Sequence, residues 1–169
     1  MLMSREIEKL AIQIGSALKS HGLMLATAES CTGGAVASAI TDIAGSSEWF
    51  ERGFITYSNE AKREMLGVAQ ETLMRYGAVS EAVVREMVTG ALCHSHAQVA
   101  LAVSGIAGPA GGMPDKPVGT VWFAWGIKGG QCVACLHHLS GNRAEIRVQS
   151  VCIAFQGVLE LLNQVTEVA

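Results

Sequence analysis

The chain has 169 residues and a formal net charge of −3; half of its residues are apolar and only 16% are charged. This size and composition are those of one globular domain spanning residues 1–169, and they exclude a disordered chain. The negative balance argues against nucleic acid or an anionic membrane surface as the partner, since both favour basic proteins.

The cell compartment can be inferred from three further features. Met1–Ser20 carries charges throughout and lacks the apolar core of a signal peptide. No apolar run is long enough to span a bilayer. The five cysteines are odd in number and have no framework spacing, which predicts reduced thiols in a cytoplasmic protein. The apolar excess favours a homodimer with a buried interface.

Helical periodicity begins at Ser4, from which apolar residues recur every three or four positions until Gly22 ends the pattern. Further helices are predicted along the chain, and Asn59 and Ser80 are expected to cap two of them. The predicted helices are Ser4–Leu18, Gly33–Ile43, Glu60–Leu66, Glu71–Tyr76, the stretch from Ser80 to Leu92, and Ala144–Leu162.

Five short apolar stretches are predicted to be strands, and the last two are joined by a hairpin turn at Lys128–Gly130. Because βα units come first and a hairpin and a helix follow, we expect an α/β fold with helices on both faces of a mixed sheet. The predicted strands are Leu23–Ala28, Phe54–Tyr57, Val99–Val103, Thr120–Ile127 and Cys132–Leu139.

Within the stretch "TAESCTGG" (residues 27–34), Glu29–Thr32 is predicted to form the turn between the first strand and the next helix. Ligands of open α/β sheets bind at this end of a strand, and the N–H groups of a helix start can hold an oxygen atom. Ser30 is therefore a candidate nucleophile with an oxyanion hole beside it. The structural alternative is that Ser30 or Thr32 only caps the helix.

A second polar turn, "TYSNEAK", places Lys62 in the first turn of a helix, where a cation opposes the helix dipole. A serine nucleophile needs a base, and none of the five histidines lies in a comparable turn. Lys62 can serve if burial and positive potential lower its pKa by about three units from 10.4. The alternative is a solvated lysine.

The third polar region is the glycine-rich loop Ser104–Gly119, which directly follows a strand. Its backbone N–H groups can surround an anion, and Arg143 in "SGNR" can hold a phosphate with its guanidinium. The loop matches neither the P-loop nor the dinucleotide pattern. The alternative is an ordinary surface loop.

Taken together, these turns resemble one family, the CinA C-terminal domain, whose members include the nicotinamide-nucleotide amidases. The resemblance implies a stand-alone three-layer α/β/α sandwich that hydrolyses nicotinamide mononucleotide to nicotinic acid mononucleotide and ammonia, without a cofactor or a metal. The matching stretches, in family order, are "TAESCTGG", "GSSEWFERGFITYSNEAK", "GAVS", "SGIAGPAGG", "KPVGTVWFAW" and "SGNR".

The resemblance also implies roles for individual residues. Ser30 attacks the amide carbon, Lys62 takes the hydroxyl proton, and Tyr57 positions or relays it. N–H groups near Thr32–Gly34 stabilise the oxyanion. Asn142 and Ser104 depart from the aspartate and threonine that some relatives carry. The implied substrate-binding residues are Cys31, Thr32, Gly33, Gly34, Ser46, Asn59, Ser104, Gly105, Ile106, Ala107, Gly108 and Arg143.

Three other functions stay open at this point. Cys31, at a helix start, would be acidified and could act as the nucleophile of a cysteine hydrolase. A metal or redox module could be built on Cys132 and Cys135, which have a Cys-x-x-Cys spacing, although residues three apart on a strand point to opposite faces. The same pocket could also hold a nucleotide without turnover.

Overall fold

The computed structural model describes the backbone of residues 2–168 and the side chains of residues 2–165. The helices are α1 (Leu2–Ser20), α2 (Ala35–Thr41), α3 (Asn59–Leu66), α4 (Gln70–Tyr76), α5 (Glu81–Cys93) and α6 (Arg143–Val168). The strands are β1 (Leu25–Glu29), β2 (Phe50–Ile55), β3 (Val99–Gly105), β4 (Thr120–Ile127) and β5 (Cys132–His138), and a 3-10 helix covers Ser46–Glu48. Within this range, no helix is both long and apolar enough to cross a membrane.

The five strands form one sheet in the order β2-β1-β3-β4-β5. β1 pairs in parallel with β2 and β3, whereas β4 pairs antiparallel with β3 and β5. The predicted mixed sheet is therefore confirmed, and the hairpin joins its last two strands.

Helices cover both faces of the sheet, as the alternation of buried side chains along β3 illustrates. Val99, Leu101 and Val103 pack into the core formed with α1, α2 and α6. Ala100 and Ala102 pack into the opposite core, beneath α3, α4 and α5. Two separate cores divided by one sheet make the predicted three-layer α/β/α sandwich, so the predicted fold class is confirmed.

Several element boundaries differ from the prediction, and two of these differences have a clear local cause. Gly33 and Gly34 do not belong to the second helix, because their φ angles of 57° and 97° place them in a left-handed turn before Ala35. The second strand begins at Phe50 rather than Phe54. Its first part is an edge strand that carries Glu51 and Arg52, so the apolar signal used to predict strands is missing there.

The parallel pairing brings three polar segments to one edge of the sheet. β1, β2 and β3 all end there, and the N–H of Thr56 donates to the carbonyl of Glu29 at 2.8 Å just beyond the paired strands. The same edge therefore collects the turn after β1, the turn after β2 and the loop after β3. Ser46 lies before β2, at the other end of the sheet.

Candidate active site

The turns after β1 and β2 bring Ser30 and Lys62 into contact. Nζ of Lys62 lies 2.9 Å from Oγ of Ser30, and both side chains are buried, with exposed fractions of 1% and 7%. The N–H of Ser30 donates to the carbonyl of Val103 at 3.0 Å, which ties the serine to the end of the central strand β3. A nucleophile and a candidate base thus meet within hydrogen-bond distance.

The amine of Lys62 has two further neighbours, the carbonyl oxygens of Thr56 at 2.8 Å and Tyr57 at 3.3 Å. Carbonyl oxygens only accept hydrogen bonds. A neutral amine in this position donates its two hydrogens to the two carbonyls, so its lone pair faces the Ser30 hydroxyl. Burial lowers the pKa of Lys62 to about 8, which makes this neutral form accessible near neutral pH.

The position of Lys62 follows from how α3 begins. Oγ of Ser58, not the side chain of Asn59, accepts from the N–H of Ala61 and caps the helix. The prediction that Asn59 is the cap is therefore wrong by one residue; Asn59 is the first residue of α3. Lys62 lies in the first turn on the buried face of the helix, which directs its side chain at the end of β1.

The turn that follows Ser30 is organised by a buried carboxylate. Glu29 accepts from Oγ1 of Thr32 at 2.6 Å and from the N–H groups of Val36 and Ala37 at 2.9 and 3.1 Å. Glu29 thus satisfies the N–H groups at the start of α2. Neither Ser30 nor Thr32 caps that helix: Gly34 is its cap residue and forms no side-chain cap bond. The capping alternative for these two hydroxyls is wrong.

The N–H groups predicted to form the oxyanion hole are not all free. Gly33 N–H donates to the carbonyl of Ser30 at 3.0 Å within the turn. Since a trans peptide points its N–H opposite to its carbonyl, the N–H of Cys31 faces away from this turn. Cys31 lines the adjacent cavity, and its N–H forms no hydrogen bond to another described residue, so it is the candidate oxyanion donor rather than the N–H of Gly33.

Ser30 and Lys62 line a cleft of about 250 Å³ at the carboxyl ends of the strands. Sequence reasoning assigned no role to Ala78 and Val79, although their stretch "GAVS" was among the family matches. The signal that connects them is tertiary: Oγ of Ser104 donates to the carbonyl of Ala78 at 2.8 Å. The lining residues are Ser30, Cys31, Tyr57, Asn59, Lys62, Ala78, Val79, Ser104, Gly105, Ala107 and Arg143.

The remaining predicted binding residues lie around this cleft or away from it. Thr32, Gly33, Gly34, Ile106 and Gly108 do not line it. The carbonyl of Gly108 nevertheless accepts from Arg143 at 2.8 Å, so the glycine loop shapes the site through its backbone.

Ser46 is separated from the cleft by the length of the sheet. Its 3-10 helix precedes β2, and the following Trp49 contacts the first residue of β1 through a 2.8 Å hydrogen bond to Leu25. The structure does not bring Ser46 to the cleft, contrary to its prediction as a substrate-binding residue, because Ser30 follows β1 at the opposite sheet edge.

Arg143 and Tyr57 form the outer part of the cleft. One guanidinium nitrogen of Arg143 lies 3.2 Å from the Tyr57 hydroxyl oxygen, and Tyr57 is 62% exposed. Within the described residues, the phenol has no hydrogen bond to Ser30 or Lys62; Tyr57 meets the lysine through its backbone carbonyl. Asn142 has a different task, since its Oδ1 accepts from the N–H of Glu145 at the start of α6.

The cysteines do not support the alternative sites. Burial raises the pKa of Cys31 to about 11, so the expected acidification of this thiol is wrong. Cys132 and Cys135 pack toward opposite cores of the sheet and cannot chelate one ion together. Within the described part of the chain, no group of three or more His, Cys, Asp or Glu side chains is arranged to hold a metal.

Comparison with known proteins identifies the family and agrees with this fold. The family model of the CinA C-terminal domain matches residues 7–162. The chain belongs to the CinA C-terminal domain family. Among its CinA relatives, nicotinamide-nucleotide amidohydrolase PncC of Escherichia coli K12 is 53% identical over 161 residues, which cover 95% of this chain and 98% of the relative. The protein of the same name from Enterobacter agglomerans is 52% identical, with coverage of 94% and 96%.

Solved CinA structures share the fold. The competence/damage inducible protein CihA of Agrobacterium tumefaciens superposes with a TM-score of 0.90 at 48% identity, covering 94% of this chain and 96% of the other. A CinA superfamily protein of Klebsiella pneumoniae also reaches 0.90, at 41% identity and with coverage of 94% and 98%.

Proposed function

We propose that this protein is an amidohydrolase that converts nicotinamide mononucleotide to nicotinic acid mononucleotide and ammonia through a Ser30 acyl-enzyme. The observation that carries the proposal is the 2.9 Å contact between Oγ of Ser30 and Nζ of Lys62 in a buried site. The substrate is inferred from the amidohydrolase names of the relatives that match over nearly the whole chain.

Acylation begins when the neutral amine of Lys62 removes the proton of the Ser30 hydroxyl. The serine oxygen then attacks the carboxamide carbon, and the carbonyl oxygen becomes an oxyanion. The N–H of Cys31 is the donor best placed to stabilise it, a contribution of about 3–4 kcal/mol for such a donor. The carbonyls of Thr56 and Tyr57 hold the resulting ammonium of Lys62 in place.

Collapse of the tetrahedral intermediate breaks the carbon–nitrogen bond. The ammonium of Lys62 returns its proton to the leaving nitrogen, which departs as ammonia, and an ester to Ser30 remains. Lys62, neutral again, removes a proton from water, and the hydroxide attacks the ester carbon. The bond between the acyl carbon and the Ser30 oxygen then breaks, and the ammonium of Lys62 returns its proton to that oxygen. The products are nicotinic acid mononucleotide and the free serine, so the reaction balances without a metal or a redox cofactor.

The phosphate end of the substrate is assigned to the outer part of the cleft. Arg143 supplies a guanidinium there, and Asn59 supplies an amide from the start of α3. The hydroxyl of Tyr57 contacts Arg143 and its backbone carbonyl contacts Lys62, which supports a positioning role for Tyr57 between phosphate and base.

We also propose a cytoplasmic location, because the five cysteines are all free.

The test is ammonia release from nicotinamide mononucleotide by the wild-type protein, Ser30→Ala and Cys31→Ala. The proposal requires activity in the wild type, loss of at least about 10³-fold in Ser30→Ala, and retained activity in Cys31→Ala. An active Ser30→Ala variant with a dead Cys31→Ala variant would support a cysteine hydrolase. Substrate binding without ammonia release by the wild type would support the binding module.

A further inference from the structure

Arg147 of α6 contacts the backbone of the nucleophile turn from outside the cleft. Its Nε lies 3.2 Å from the carbonyl oxygen of Cys31, and its Nη2 lies 2.9 Å from that of Thr32. It does not line the cleft of Ser30 and Lys62. The two residues that it holds are 116 and 115 positions earlier in the chain, so the contact joins the last helix to the first strand-helix turn.

The turn needs such an external support because of its composition. Gly33 and Gly34 follow Thr32 with positive φ angles, and glycine restricts the backbone less than any other residue. The peptide plane between Ser30 and Cys31 is held by the hydrogen bond from Gly33 N–H to the Ser30 carbonyl. That bond keeps its direction only if the two intervening peptide planes are also fixed.

Arg147 holds both planes, and the N–H of Ala35 also donates to the carbonyl of Thr32 at 3.0 Å. The carbonyls of Cys31 and Thr32 belong to the peptides that link Ser30 to Gly33, and the planar guanidinium reaches both with its rigid fork of donors. Glu29 acts from the other side by binding Oγ1 of Thr32. The turn that contains the N–H of Cys31 and the hydroxyl of Ser30 is therefore held by Glu29 from one side and by Arg147 from the other.

The guanidinium of Arg147 also brings a positive charge to the turn. No ion pair between Arg147 and a carboxylate exists among the described residues; its side-chain hydrogen bonds go to the two carbonyls. The buried carboxylate of Glu29 lies in the same turn and opposes this charge, so we attribute the effect of Arg147 to its two carbonyl contacts.

We propose that Arg147 is a positioning residue for acylation, which orients Ser30 and the oxyanion donor of Cys31 by holding the carbonyls of Cys31 and Thr32. The inference rests on the proposed function, in which Ser30 is the nucleophile. Positioning of this kind affects the transition state more than the bound substrate, so it predicts a loss of kcat with little change in KM.

The experiment compares Arg147→Met and Arg147→Lys with the control Arg5→Met. Arg5 and Arg147 line the same cavity of about 630 Å³ between α1, α2 and α6. The side chain of Arg5, however, makes no hydrogen bond or ion pair within residues 2–165. Three quantities are measured: kcat and KM for ammonia release, the rate at which a fluorophosphonate probe labels Ser30, and the Kd of nicotinamide mononucleotide in a Ser30→Ala background.

We expect Arg147→Met to lower kcat and the labelling rate at least about 10-fold, with KM and Kd changed less than about 3-fold. Arg147→Lys should retain part of the activity, because one ammonium keeps the charge but holds the two carbonyls less rigidly. Arg5→Met should behave like the wild type.

The proposal is overturned if Arg147→Met retains kcat and labelling, if it raises KM with kcat unchanged, or if Arg5→Met loses as much activity. It is also overturned if the wild-type serine is not labelled. The labelling arm needs no nucleotide. If the wild type is labelled on Ser30 but releases no ammonia, the proposed substrate is wrong. The comparison of labelling rates between the variants still decides the role of Arg147 in that case.

Discussion

Nζ of Lys62 lies 2.8 Å from the carbonyl oxygen of Thr56, the last residue before the turn that leads into α3. Together with the Tyr57 carbonyl, this acceptor takes the two hydrogens of the neutral amine and directs the lone pair at Ser30. Both acceptors are main-chain carbonyls, so the fold itself orients the base and no third catalytic side chain is needed. Four predictions follow from this geometry and its surroundings.

Activity is expected to follow the ionisation of Lys62. Burial lowers its pKa to about 8, and the neutral form is the base, so kcat/KM should rise about tenfold per pH unit below 8 and level off above it. Lys62→Arg should be inactive at every pH, because arginine does not lose its proton in proteins. The measurement is ammonia release between pH 6.5 and 9.5; a flat wild-type profile would contradict the assignment.

The same pKa shift predicts a pH-dependent stability. The pKa of Lys62 is about 8 in the folded protein and near the ordinary 10.5 when unfolded, so the unfolded chain binds more protons between these values. Stability therefore rises with pH in this window, by about 1.4 kcal/mol per unit and about 3 kcal/mol in total. Below pH 8 Lys62 is charged in both the folded and the unfolded protein, so the desolvation cost of the buried ammonium lowers the stability in full.

This linkage is measured as the free energy of unfolding in urea at pH 7.5, 9 and 10.5, for the wild type and Lys62→Met. The difference between the two proteins isolates the lysine, since other groups, including Cys31, titrate in both. The wild type should gain relative to Lys62→Met as the pH rises. A difference that is constant with pH would show that the folded pKa is not lowered.

Removal of the Arg143 guanidinium should weaken substrate binding more than it slows chemistry. Arg143 lines the outer cleft, and its side-chain hydrogen bonds go to Gly108 and Tyr57 rather than to Ser30 or Lys62. Arg143→Met should therefore raise KM at least about 10-fold with a smaller change in kcat. Tyr57→Phe removes only the hydroxyl partner of Arg143 and should have a weaker effect. Steady-state kinetics measure both constants, and Arg63→Met, at an exposed arginine, is the charge control. A loss of kcat without a change in KM would contradict the assignment of Arg143 to the phosphate.

Gly90 sets the spacing between the helix that carries Lys62 and its neighbour α5. A Cβ at Gly90 would overlap the backbone carbonyl of Leu66, the last residue of α3. Gly90→Ala should therefore destabilise the protein by about 1–3 kcal/mol, although alanine is the better helix former. Urea unfolding measures this; Gly130→Ala, whose Cβ would meet only ordinary contacts, is the control. Equal stability of both variants would contradict the close packing.

Local sequence determined the order and type of the elements. Turn residues and apolar periodicity depend on neighbours along the chain, so the strands, the hairpin at Lys128–Gly130 and the mixed sheet could be predicted. The polar turns after β1 and β2 also stood out, because Ser30 directly follows an apolar strand and Lys62 lies in a first helical turn, where a cation opposes the helix dipole. Where that local signal was weak, as at Glu51 and Arg52 on the edge strand β2, the predicted boundary was wrong.

Only the tertiary structure decided which polar groups meet. Ser46 and Ser30 both lie in polar turns, yet the direction of β1 and β2 sends them to opposite ends of the sheet. Arg147 carries no local signal, since its partners are the main-chain carbonyls of Cys31 and Thr32. Likewise, the lowered pKa of Lys62 arises from burial by segments that are distant in sequence. Contacts and desolvation are properties of the packed chain, which is why residue type and spacing alone could nominate the site but not complete it.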